Sequence, residues 1–130
     1  MTHLEKRRRR LQITQRATFA RWFSATGREM QPVTDRRVAW QAALVLLGSP
    51  KHQRLGNAIL RHVSTETCHF CPAYAASILV RFSSRLDKTV RGRVAHYLQS
   101  SLPGATTRDI RFHGFNDNFP ALATATLALA

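Results

Sequence analysis

Residues 35–63 read DRRVAWQAALVLLGSPKHQRLGNAILRHV, and this stretch decides the fold. The run Trp40-Gln-Ala-Ala-Leu-Val-Leu-Leu-Gly lies in a helix expected near 35–47. Thr34 or Asp35 supplies an N-cap for it, and Gly48 ends it. Ser49-Pro50 restarts the chain at once, as a capping serine followed by proline at the first helical position. The next helix presents Leu55, Ile59, Leu60 and Val63 on one face. Two helices joined by so short a connection form an antiparallel hairpin.

The same reading extends outward. Pro72 opens a fourth helix that runs to about Arg85, with an interior Ala-Tyr-Ala-Ala-Ser-Ile-Leu-Val suited to burial on most sides. Asp87 caps a fifth, about 88–100, whose stripe is Val90, Val94, Tyr97 and Leu98; Ser100-Ser101-Leu102-Pro103-Gly104 is expected to stop it. Residues 105–117 read as a loop. Asn118 then caps a final helix, Phe119–Ala130, that carries no charge and no C-cap signal. A helix apolar nearly all round asks for burial on several sides, so the chain reads as truncated at its C-terminus and as self-associating through this helix. Toward the start, residues 5–24 are expected to be helical in their second half, where Phe19, Trp22 and Phe23 follow i, i+3, i+4 spacing. Gly27–Pro32 breaks that helix. No hairpin of strands and no βαβ unit is visible. The fold class is all-α: antiparallel helical hairpins, five to six helices, with residues 1–33 as a basic segment and 34–130 as a helical-hairpin domain.

Composition agrees with one globular chain. Of 130 residues, 44% are apolar and 21% charged, which excludes a disordered or collagen-like chain. Lys+Arg number 20 against 7 Asp+Glu, a net charge of +13. Residues 1–37 carry ten of those cations and three of the anions. Arginine dominates, with lysine only at positions 6, 51 and 88; abundant arginine and alanine together also reflect a GC-rich coding sequence, so charge alone licenses a general attraction to polyanions. No apolar run reaches the roughly 18 residues of a membrane span. The basic start is followed by Leu11-Gln12-Ile13-Thr14-Gln15-Arg16, which is no signal-peptide core. A cytoplasmic protein with free thiols is the expectation.

Residues 36–130 resemble the helical-hairpin layers of (α/α) toroid carbohydrate-active proteins, six-hairpin glycosidases and heparinase-like polysaccharide lyases. The carriers are Trp40-Gln-Ala-Ala-Leu-Val-Leu-Leu-Gly, Cys71-Pro-Ala-Tyr-Ala-Ala, and the run from His113-Gly-Phe-Asn-Asp-Asn-Phe-Pro into the last helix. The resemblance implies an incomplete toroid of two or three hairpins, inactive alone, with carbohydrate as its ligand once further chain completes the ring. It implies catalytic roles for His113, which would move a proton, and Asn116, which would hold a uronate carboxylate. Asp117, Trp40 and Tyr74 would line the sugar site. The same loop has a plainer reading, with Asn118 as an N-cap, Asp117 complementing the helix dipole and His113-Gly114 as a turn. Whether the chain is an enzyme stays open, and no cofactor is implied.

Two other constellations compete. Lys6, Arg7, Arg8, Arg9 and Arg10 are suited to gripping phosphates, with Phe19, Trp22 and Phe23 as base-stacking candidates, which makes a small basic nucleic-acid-binding protein the second hypothesis. The opposed reading is a solvated, frayed start followed by an aromatic core stripe. Cys68-His69-Phe70-Cys71 has the spacing of a zinc half-site or a redox pair, but no second half-site exists in sequence and no strand precedes it, so no metal is assigned. A third hypothesis is a helical interaction module docking through the C-terminal helix.

Overall fold

The computed structural model describes residues 1–32, 35–66, 68 and 70–106, the last three of these by backbone only. Five α-helices and two short 3-10 turns make up its regular structure, and the described residues form no strand beyond one isolated bridge. All-α is the fold class. The chain divides into two compact units, residues 1–63 and 64–130. The division expected from sequence at 33/34 falls inside the first unit, where the basic segment packs against the following helix.

Helix α1 spans His3–Trp22. The first half of this helix carries no hydrophobic period, and its order comes from local chemistry instead. The Thr2 hydroxyl accepts from the Glu5 N–H at 3.2 Å while the Glu5 carboxylate accepts from the Thr2 N–H, a reciprocal cap. Leu, Arg, Lys and Gln, all strong helix formers, fill most of the next turns. The helix therefore includes the first half of the segment as well as the second, where it is expected, and is twice the length expected. Phe23 turns to extended backbone and pairs with Glu29 across a tight turn. Gly27 makes that turn at φ +81°; a Cβ there would lie 2.2 Å from the Ala58 carbonyl carbon, so only glycine lets the turn seat against the third helix.

Helix α2, Arg37–Leu47, buries Ala39, Trp40, Ala42, Ala43, Leu46 and Leu47. The N-cap position falls to Arg36, which makes no side-chain capping bond, rather than to Asp35; Asp35, one residue earlier, accepts from the Arg37 N–H at 2.9 Å and binds the Arg37 guanidinium. Ser49 makes no capping bond; Pro50–His52 form a 3-10 turn before α3, Gln53–Leu60. Helices α2 and α3 pack closely because Gly56 has no Cβ, which would stand 2.8 Å from Leu47 Cγ. Ile59, Leu60 and Val63 are buried as expected, and Leu55 is half-buried.

In the second unit α4 spans Cys71–Phe82, a 3-10 turn takes Ser83–Arg85, and α5 spans Lys88–Thr106. Ala75, Ala76 and Ile78 of α4 and Val90, Val94, Tyr97 and Leu98 of α5 are buried, as the periodicity predicts. Helix α5 outruns its expected stop at Ser100–Gly104. The Ser101 hydroxyl donates to the Tyr97 carbonyl at 2.8 Å and Ser100 bonds back to His96, which accommodates both serines within the helix. Pro103 lies inside the helix, where it offers no N–H and its ring crowds the carbonyl four residues earlier.

Candidate functional site

The first eleven residues of the chain are all exposed. Lys6 through Arg10 occupy consecutive positions of α1, and at about 100° per residue their side chains point all the way round the axis. The result is a cationic arm that projects from the part of α1 packed on α2. Lys6 with Arg9 and Arg10, and Arg7 with Arg10, are like-charge neighbours at i+3 or i+4, each unfavourable by a few tenths of a kcal/mol. Cations in the first turns also oppose the helix dipole. An anionic ligand relieves both strains.

Farther along α1 the packed face takes over. Phe19 and Phe23 are buried, at 9% and 4% exposure, whereas Trp22 is 45% exposed. The indole and the Phe19 ring make a T-shaped pair, centroids 5.5 Å apart and planes at 90°. Of the three aromatic residues expected to stack on a ligand, Trp22 alone is accessible; i, i+3, i+4 spacing places them together, but the turn at Phe23 decides which ring faces out.

Arg16 is a cation of a different kind. Its Nε donates to the Val45 carbonyl at 3.3 Å and its Nη2 to the Gly48 carbonyl at 3.4 Å, so it satisfies the C-terminal end of α2. Sequence reasoning missed it, although an arginine in register with Gln12 and Phe19 on the packed face is the available signal. His52 lies near this corner. Its Nδ1 is buried without a hydrogen-bond partner, and burial, followed by the charges of Lys51 and Arg16, pulls the imidazole below its usual pKa range. In contrast, Asp35 is half-buried beside Arg37, whose side chain and N–H hold its carboxyl below the usual carboxylate value.

The remaining candidates are dispersed. Trp40 is 1% exposed within the core, with no face left open for a sugar, and Tyr74 is half-buried on α4. His113, Asn116 and Asp117, together with the expected loop and final helix, lie outside the described residues. Cys71 is buried at the start of α4 and Cys68 is half-buried; both are free thiols. Among the described residues no group of three or more His, Cys, Asp or Glu side chains is arranged to hold a metal. No described helix is long and apolar enough to cross a membrane. Two further cations, Arg81 and Arg85, stand 5.2 and 5.5 Å from the Phe82 ring centroid, which anchors their guanidinium groups at the end of α4. No protein-family model, curated protein or solved structure matches this chain.

Proposed function

We propose that this chain is a small helical protein that binds nucleic acid through the cationic arm of α1. The observation that carries the reading is the exposed, capped helix holding Lys6, Arg7, Arg8, Arg9 and Arg10 in succession. A preformed helix presents its charges without the ordering cost that a disordered basic tail incurs on binding. Four of the five cations are arginine, whose planar guanidinium matches two phosphate oxygens at once. Arg16, tied to Val45 and Gly48, fixes the arm to the rest of the first unit.

The reading as a piece of an (α/α) toroid with carbohydrate as ligand draws on His113, Asn116 and Asp117, and self-association draws on residues 119–130. These residues lie outside those described, and of the other two proposed sugar contacts Trp40 is buried in the core and Tyr74 half-buried, whereas every group of the cationic arm is described and exposed. Removing residues 1–10 tests the proposal. Affinity for duplex DNA and for heparin is expected to fall together, measured by fluorescence anisotropy at low salt. Unchanged affinity for both would overturn it.

A further inference from the structure

We propose that Trp22 is a stacking platform for an unpaired base, so that the polyanion favoured by α1 is a single-stranded nucleic acid. This rests on the reading of α1 as a phosphate-binding arm. Leu4, Leu11 and Trp22 are separated by 7 and 11 residues, close to whole numbers of helical turns, and therefore lie along one line of the helix. All three are exposed, at 75%, 63% and 45%. Arg7 and Arg8 lie three or four positions from both leucines and flank that line on either side. Gln15, also exposed, continues it toward Trp22. One face thus presents cations for phosphates at one end and an aromatic surface at the other.

The indole is held in place. It meets the Phe19 ring in a T-shaped contact, and the Met30 N–H donates to the Trp22 carbonyl at 2.9 Å, closing the turn that follows. A fixed, half-exposed ring loses little freedom when a base lies on it. From Lys6 to Trp22 the helix rises about 24 Å, a span in keeping with single-strand sites of roughly 4–16 nucleotides. In a duplex the bases are already stacked and this ring has no base face to meet. A lipid surface fits less well. The apolar line is one residue wide and is interrupted at Gln15, and Lys6 to Arg10 encircle the helix, so no broad apolar face exists to enter the acyl boundary.

The test is binding of the full chain to a labelled oligothymidylate of about a dozen nucleotides and to an abasic strand with the same number of phosphates. Trp22→Ala is expected to weaken binding to the oligothymidylate about tenfold and to leave binding to the abasic strand unchanged, while Trp22→Phe retains most of the affinity. Circular dichroism establishes that both variants keep their helix content. Equal effects on the two strands, or no effect on either, would overturn the stacking role and leave the phosphate grip standing. No binding of the unaltered chain to either strand would remove the grip itself. A blue shift of Trp22 emission with phosphatidylglycerol vesicles and none with the oligothymidylate would assign the face to lipid and contradict the proposal.

Discussion

Arg16 reaches across from α1 to the end of α2, where its guanidinium donates to the Gly48 carbonyl at 3.4 Å as well as to Val45. The last carbonyls of a helix have no partner within it, and here a charged donor from another helix supplies one. The half-buried arginine therefore works as an interhelical clasp. Arg16→Met, which keeps the apolar stem, is expected to destabilise the first unit by about 1–2 kcal/mol in urea melts. Arg16→Lys recovers only part of that loss, because a single ammonium cannot reproduce the guanidinium fork. A fully stable Arg16→Met variant would show that the clasp contributes nothing.

Two glycines separate close approach from open space. Gly27 combines φ +81° with a would-be Cβ 2.2 Å from Ala58, whereas a Cβ at Gly92 meets nothing within 4 Å. Gly27→Ala is expected to cost more than about 2 kcal/mol, through left-handed backbone and displacement of the turn from α3. Gly92→Ala, in the exposed face of α5, is expected to stabilise by up to about 1 kcal/mol. Thermal melts of the two variants should move in opposite directions; shifts of the same sign would contradict the packing described.

Burial, and then the nearby charges of Lys51 and Arg16, disfavour the charged form of the His52 imidazole. Its folded-state pKa lies below the 6.5 of a free histidine. The fold therefore has its full contribution from a neutral His52 above about pH 6.5 and loses it as pH falls through the lower folded value. His52→Gln is expected to lose less stability than the unaltered protein between about pH 7.5 and 5, followed by urea midpoints. Identical losses would mean that this histidine is not the titrating group.

Sequence alone makes the helices of the core legible because their faces repeat. Trp40, Leu46 and Leu47, Ile59 and Leu60, Val90 and Val94 stand at helical spacing, and all are buried. The first half of α1 was hidden because five cations on all sides have no period; the Thr2–Glu5 cap is the signal that reveals it. The end of α5 was misplaced because Pro103-Gly104 has the composition of a stop, while side-chain back-bonding by Ser100 and Ser101 accommodates serines that also read as a terminus. The cationic run of the candidate site is plain in the sequence. Which aromatic residue serves it is not, since Phe19, Trp22 and Phe23 differ only in how the turn from Phe23 to Glu29 folds back.

The salt dependence of oligonucleotide binding tests the cationic arm most directly. The full chain and a variant with Lys6, Arg7, Arg8, Arg9 and Arg10 all replaced by Gln would be titrated against the same single strand across a range of salt concentrations. Glutamine preserves helix propensity, so the comparison isolates charge. Each phosphate contact contributes about 0.7 to the slope of log affinity against log salt on a single strand. If three or more of the five cations engage phosphates, the slope of the variant should be shallower by about 2 or more. Parallel lines for the two proteins would show that binding, where it occurs, does not run through α1.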